Sequence, residues 1–132
     1  MIGVDTNVLV RLLVQDDVAQ VEAAERAILL HGSADEPIVV NAINLAEIAW
    51  VLRSRYGYGK PHILELLTGL LEQDDVIALP EEPLHRALDA WAKGRAGLAD
   101  YLIAELNADH GCSTTVTFDR EAAKHPGCQL IP

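Results

Sequence analysis

The first fourteen residues, Met1-Ile2-Gly3-Val4-Asp5-Thr6-Asn7-Val8-Leu9-Val10-Arg11-Leu12-Leu13-Val14, contain the pattern that decides the fold. A short apolar run is followed by an acid and then by apolar residues at helical spacing, which predicts a strand that leads into a helix. The same alternation of short apolar runs and helical stretches continues along the chain. It predicts an α/β fold with a mainly parallel sheet of about five strands.

The rest of the chain supplies four more strand candidates and five more helix candidates. The strands are expected at Ile2–Val4, Ile38–Val40, Val76–Leu79, Thr114–Phe118 and Gln129–Ile131. The helices are expected at Asn7–Val14, Val18–Leu30, Ala42–Tyr56, Pro61–Gln73, Pro83–Lys93 and Leu98–His110, with a short turn after Asp119. Capping is expected from Asp17 and Asn41, a first-turn proline at Pro61, and left-handed helix ends at Gly32, Gly57 and Gly111.

Length and composition indicate an ordinary globular protein. The 132 residues suit one domain, so we expect residues 1–132 to form a single unit of folding. Half of them are hydrophobic, but no apolar run approaches the roughly 20 residues of a membrane-spanning helix. The N-terminus lacks the basic and apolar regions of a secretory signal, which favours a cytoplasmic location. Cys112 and Cys128 match no metal-binding spacing and are expected to be reduced, part-buried thiols.

The net charge of −10 argues against a general nucleic-acid-binding surface, because affinity for phosphates normally comes from clustered Lys and Arg. Carboxylates gathered around divalent cations are the exception, since the ions reverse the local potential. The simpler interpretation of the charge is solubility.

Two acids follow strands directly. Asp5 comes after the first predicted strand and Asp119 after the fourth, which places both at carboxyl ends of strands, where open α/β sheets bind ligands. The two carboxylates would converge if these strands are parallel neighbours. The alternative is that each acid only caps the helical turn that follows it.

Two further acids lie in predicted helices. Glu47 projects between Ile43, Trp50 and Val51, so it is expected along an apolar face, where an ionised carboxylate needs a cation or several donors. Its alternative role is an ion pair with Arg53 or a hydrogen bond to the backbone.

Asp100 stands in the first turn of its helix, where the helix dipole favours negative charge and would by itself explain the residue. Its projected neighbours, Ile103, Ala104 and Asn107, place it at the border of the apolar face.

Strand ends and the first or second turns of helices can meet at one cleft, so the four acids together predict a site for a hard cation with oxygen ligands, Mg²⁺ or Mn²⁺. Zinc is not expected, because no His or thiol lies in these segments.

Four short motifs carry a resemblance to a known family: residues 4–7 (VDTN), 44–48 (NLAEI), 99–104 (ADYLIA) and 117–120 (TFDR). In this order and spacing they resemble the PIN-domain nucleases, and especially the VapC-type toxins of prokaryotic toxin–antitoxin pairs. The resemblance covers essentially the whole chain. The chain differs in having Phe118 between Thr117 and Asp119, and Ala122-Ala123 in place of an aromatic residue.

The resemblance implies a three-layer α/β/α domain in which Asp5, Glu47, Asp100 and Asp119 bind Mg²⁺ or Mn²⁺ and hydrolyse RNA. It also implies that Asn7 and Thr117 hold the acidic cluster and its water by hydrogen bonds. A homodimer and a cognate antitoxin are expected on the same ground. The mechanism expected is attack on a phosphodiester by a metal-activated water, without a side-chain nucleophile.

The acidity of the chain leaves few cations to contact RNA, and the candidates are Arg11, Lys93, Arg95 and Arg120. Their ordinary role is that of solvated surface charges. Two other functions stay open. A haloacid-dehalogenase-like phosphatase would use the first Asp as a covalent nucleophile, but it expects a second Asp where this chain has Asn7. A non-catalytic module could keep the fold for dimerisation or antitoxin capture.

Overall fold

A computed structural model describes residues 1–31 and 36–132. Within them the chain forms two compact units, a first unit Met1–Leu79 and a second unit Pro80–Pro132. The predicted left-handed helix end at Gly32 lies outside the described residues. No helix in the described part is both long and apolar enough to span a membrane.

The first unit contains a parallel three-stranded sheet in the order β1-β2-β3 and four helices. Ile2 pairs with Ile38, and Ile38 pairs with Val76. The elements are β1 Ile2–Gly3, α1 Thr6–Val14, α2 Val18–His31, β2 Ile38–Asn41, α3 Ala42–Ser54, α4 Lys60–Leu71 and β3 Val76–Leu79. Its core is built from fully buried aliphatic side chains of the sheet and helices, including Leu9, Val40, Leu45, Ile48, Leu52, Ile63 and Leu67.

Local sequence explains most of the ends of these elements. The Asn41 side chain accepts from the Asn44 backbone N–H (3.1 Å), and Asp17 accepts from Gln20 (3.1 Å), so both predicted caps are confirmed. Pro61 lies in the first turn of α4, where a missing N–H costs nothing. Gly57 has a positive φ of 67° after α3, as its prediction required.

The second unit contains two helices, a short 3₁₀ turn and a parallel pair of strands. The elements are α5 Glu81–Lys93, α6 Leu98–Asp109, β4 Thr115–Thr117, a 3₁₀ turn at Ala122–Lys124, and β5 Cys128–Leu130. α5 packs against α6 through a core that includes Leu84, Ala87, Trp91, Tyr101 and Ala104. Gly111 follows α6 with a φ of 93°, so this predicted helix end is confirmed as well.

The α/β class with parallel strands is confirmed, and the helices and strands are of the kinds expected for the α/β/α domain that the resemblance implies. The pairing of the strands differs from the expectation of one sheet. Hydrogen bonds join β1, β2 and β3 in one sheet and β4 and β5 in another. β1 and β4 are therefore not paired neighbours, and the convergence of Asp5 with Asp119 cannot be argued from strand adjacency. The expectation of one domain stays a prediction.

Candidate metal-binding and catalytic site

Asp5 lies at the carboxyl end of β1 and is the N-cap of α1. Its Oδ1 atom accepts from the Thr6 backbone N–H at 2.9 Å. The capping role considered for Asp5 is therefore confirmed, but it uses only one oxygen of an exposed carboxylate. The same residue also lines a cavity of about 390 Å³ in the first unit, together with apolar residues of β1, α1 and α2.

Glu47 lies in α3, and its surroundings differ from those expected. The side chain is exposed, and so are its helical neighbours Ile43 (69%) and Trp50 (66%). The apolar face exists, but it is exposed to solvent. Glu47 is therefore not buried among apolar groups, and the prediction that it needs a cation to offset such burial is wrong. An ion pair between Glu47 and Arg53 is absent from the described residues.

Glu47 is instead anchored by a buried hydroxyl group. Thr6 is 5% exposed, and its Oγ1 atom donates to Glu47 Oε1 at 2.8 Å. The backbone N–H of Thr6 is the group that binds Asp5. Thr6, at the start of α1, therefore holds both of the predicted site acids that lie in the first unit. It binds Asp5 through its backbone N–H and Glu47 through its hydroxyl.

The direction of this hydrogen bond follows from Asn44, which is also buried. Asn44 Oδ1 accepts from the backbone N–H of Asn41 at 3.0 Å, so the amide nitrogen must be the donor on its other side. Asn44 Nδ2 donates to Thr6 Oγ1 at 3.2 Å and lies 3.4 Å from the carbonyl oxygen of Val4. A hydroxyl has one proton, so Thr6 accepts from Asn44 and donates to Glu47.

Thr6 and Asn44 were not predicted as site residues, although the sequence holds a signal for Asn44. Asn44 follows the capping residue Asn41 by three positions, the spacing of a capping box, and both halves of that box form. It also shares a helical face with the buried Ile48. A polar residue on a buried face must be hydrogen-bonded, which identifies such a position as an anchor.

Asp100 lies half-buried in the first turn of α6, and its Oδ2 atom accepts from the backbone N–H of Gly97 at 3.1 Å. This bond ties the loop before α6 to the helix. Burial raises the pKa of the Cys128 thiol, and the negative charges of Asp100 and Glu105 raise it further. Asp100 therefore acts electrostatically on the β5 strand of its own unit.

Asp119 is exposed just after β4, and its Oδ1 atom accepts from the Ala122 backbone N–H at 2.8 Å. The capping role considered for Asp119 is thus confirmed at the 3₁₀ turn. Thr117 Oγ1 accepts from the backbone N–H of Asp119 at 3.0 Å. Thr117 holds the backbone of the acid in place, and its interaction with bound water stays a prediction.

The structure thus brings Asp5 and Glu47 together on Thr6 in the first unit and presents Asp100 and Asp119 at separate helical turns of the second. Asn7 is exposed in the first turn of α1, and the hydrogen bonds of the described residues include none from its side chain to an acid. Within residues 1–31 and 36–132, no three His, Cys, Asp or Glu side chains are grouped closely enough to hold a cation.

The donor set nevertheless has the chemistry of a hard-cation site. Asp5, Asp100 and Asp119 each use one oxygen to cap a turn, and Glu47 uses one to accept from Thr6. Each carboxylate keeps a second oxygen, and oxygen ligands are those that Mg²⁺ and Mn²⁺ prefer. The residues present therefore fit a divalent cation of this class.

The four cations expected to contact RNA differ in their surroundings. Arg11 pairs with Asp16 at 3.0 Å and lies 3.4 Å from the Tyr56 hydroxyl, so it is engaged within the first unit. Lys93, Arg95 and Arg120 are exposed in the second unit, where the described residues form no ion pair with them.

Comparison with known proteins identifies a family for the chain. The family model for the PIN domain matches residues 2–127. No match was found among the curated proteins. PIN domains are generally nucleases that use divalent metal ions. Because the family model covers nearly the whole length, the chain belongs to the PIN-domain family.

Proposed function

We propose that this protein is a Mg²⁺- or Mn²⁺-dependent endoribonuclease of the VapC type, the toxin of a type II toxin–antitoxin pair. The observation that carries the proposal is the anchoring of two family acids, Asp5 and Glu47, on the single residue Thr6 at the carboxyl edge of the first sheet. Ligands of α/β proteins bind at this edge. The family resemblance assigns Asp100 and Asp119 to the same metal centre.

In this proposal Asp5 and Asp100 are direct ligands, whereas Glu47 and Asp119 either ligate directly, act through water or assist proton transfer. When bound, the cation would polarise a phosphodiester and lower the pKa of the attacking water. The chain itself contributes by orienting the carboxylates. The Thr6 hydroxyl donates a hydrogen bond to Glu47 Oε1 and so fixes the orientation of that carboxylate.

The capping bonds allow a sharp test of this chemistry. Asn caps a helix as well as Asp does, so Asp5→Asn and Asp100→Asn keep the oxygen that accepts from Thr6 and Gly97 and lose only the charge. We expect both variants to fold normally and to lose Mn²⁺-dependent cleavage of total cellular RNA. Undiminished cleavage by both would overturn the proposal, and mapping of the cut ends in the unaltered protein would point to its RNA target.

Protein partners are the second part of the proposal: a homodimer and an antitoxin, both in the cytoplasm. Large apolar side chains are exposed on two helices of the first unit, namely Val18, Leu29 and Leu30 on α2 and Ile43 and Trp50 on α3. Exposed apolar groups of this size are typical of protein-binding surfaces. Light scattering at micromolar concentration should give twice the chain mass, and a monomer would contradict the dimer.

The two competing functions predict different results. A haloacid-dehalogenase-like phosphatase would turn over small phosphoesters through a covalent Asp5 intermediate, and we expect no such turnover. A non-catalytic module would need no cation, so calorimetry with Mn²⁺ should detect binding if the enzyme proposal is right. Absence of Mn²⁺ binding would favour the module.

A further inference from the structure

The second unit contains a cavity of about 390 Å³ whose charge is opposite to that of the chain. Three of the ten Lys and Arg residues of the sequence line it, namely Lys93, Arg95 and Lys124. One acid, Glu121, also lines it and pairs with Lys124 at 3.1 Å. The cavity therefore carries a net positive charge in a protein whose total is −10.

Two of these cations are not neutralised by carboxylates of the chain. Within the described residues Lys93 and Arg95 form no ion pair, whereas Arg86, two turns earlier in α5, is held by Glu105 at 2.8 Å. Lys93 ends α5, and Arg95 belongs to the loop before α6. Both side chains are exposed and can therefore accept an anionic ligand.

The cavity walls are held in place by buried groups. The Tyr101 hydroxyl accepts from the backbone N–H of Ala96 at 3.2 Å, and the residue is 4% exposed. His125 accepts from the backbone N–H of Gly127 through Nδ1 (2.9 Å), so its proton is on Nε2, which bonds Glu105 at 3.0 Å. Hydrogen bonds thus hold both rings in the wall of the cavity.

The loop that carries Arg95 is joined to the proposed catalytic residues. Gly97, two residues after Arg95, donates its backbone N–H to Asp100. A ligand held by Arg95 is therefore connected through a single loop to a carboxylate that the proposed function assigns to the metal. The volume is within the range of cavities that bind small ligands and exceeds what a single phosphate needs.

We propose that this cavity binds one nucleotide unit of a single-stranded RNA substrate, with Lys93, Arg95 and Lys124 on its phosphate. The proposal rests on the proposed ribonuclease function. It explains how a chain of net charge −10 gains affinity for a polyanion, because local cations neutralise the phosphates that the rest of the surface would repel.

The test measures binding separately from cleavage. A labelled single-stranded oligoribonucleotide of about 12 nucleotides is titrated with Asp5→Asn protein, which leaves the second unit unaltered, and fluorescence anisotropy reports Kd at several salt concentrations. The variant Lys93→Gln/Arg95→Gln in the same background should bind about tenfold more weakly. Its slope of log affinity against log salt should fall by about 0.7, the contribution of the one phosphate that is no longer neutralised.

The matched control is Arg53→Gln/Arg55→Gln, which removes two exposed cations at the end of α3 in the first unit. It should change Kd by less than about twofold. Equal losses of affinity in the control and the cavity variant would overturn the proposal, because the attraction would then be spread over the surface. Unchanged binding by the cavity variant would overturn it as well.

A third variant is expected to strengthen RNA binding, whereas the cavity variant weakens it. Glu121→Gln removes the acid from the cavity and frees Lys124, so RNA binding should tighten, whereas Glu72→Gln on the first unit should have no effect. Weaker binding of Glu121→Gln would contradict the assignment, as would full displacement of the oligonucleotide by millimolar inorganic phosphate. If these binding results hold and the unaltered protein cuts no RNA, the proposed function fails while the cavity assignment stands.

Discussion

At the scale of single residues, Thr6 is the group on which the proposed site depends most. Its backbone and hydroxyl hold Asp5 and Glu47, and Asn44 fixes the direction in which its proton points. Sequence reasoning identified the two acids but not this anchor. Glu47 was expected to point into or along an apolar face that would make its charge costly. Helical projection shows which residues share a face but not whether another element covers that face, and here the face is exposed.

The anchor can be tested with a near-isosteric change. Thr6→Val removes the hydroxyl, so Glu47 loses its donor and Asn44 loses an acceptor. We expect Mn²⁺-dependent RNA cleavage to fall about 10- to 100-fold, as for other residues that orient metal ligands, with the decrease in kcat rather than a change in KM. Thr6→Ser keeps the hydroxyl and should retain most of the activity. Equal decreases in both variants would show that packing, and not the hydrogen bond, is what matters.

The two thiols should differ in reactivity. Cys112 is exposed, contrary to the part-buried state expected for it, whereas Cys128 is half-buried and its pKa is raised by burial and then by Asp100 and Glu105. A raised pKa lowers the fraction of thiolate, the reactive form, at any pH below it. Alkylation at about pH 7.5 followed by mass spectrometry should therefore modify Cys112 faster than Cys128. Faster modification of Cys128 would contradict this.

At the scale of elements, periodicity and end signals predicted nearly every helix and strand. β3 runs from Val76 to Leu79 as predicted, and α3 ends at Ser54, two residues before the predicted Tyr56. Such signals are local, and so they are readable in the sequence. The division into a three-stranded and a two-stranded sheet was not predicted, because strand pairing depends on interactions between distant residues.

The loop between α5 and α6 shows a packing constraint that the sequence did not reveal. A Cβ atom at Gly94 would collide with the Tyr101 hydroxyl and lie 2.8 Å from its Cζ atom, whereas a Cβ at Gly69 in α4 would meet nothing within 4 Å. Gly94→Ala should lower the free energy of unfolding by about 1–3 kcal/mol. Gly69→Ala should raise it by about 0.5–1 kcal/mol, because Ala favours the helix. Urea denaturation measures both changes in the free energy of unfolding. An unchanged free energy of unfolding for Gly94→Ala would show that Tyr101 moves aside.

At the scale of the whole molecule, the acids of the proposed site are divided between the units. Asp5 and Glu47 belong to the first, and Asp100 and Asp119 to the second. The PIN-domain match spans residues 2–127 and thus includes all four. The order and spacing of the acids were readable from the sequence. Their assignment to one metal centre, with one cation or a pair, comes from the family resemblance.

The assignment of the acids to one metal centre is tested most directly by Mn²⁺ titration calorimetry on Asp5→Asn and Asp100→Asn, which keep their capping bonds. Both should lose at least about tenfold in Mn²⁺ affinity, because each removes a ligand of the same metal centre. Asp74→Asn and Asp89→Asn, exposed acids of the first and second unit, should bind Mn²⁺ like the unaltered protein. Loss of affinity in only one of the two site variants, or in neither, would contradict a metal centre shared by Asp5 and Asp100.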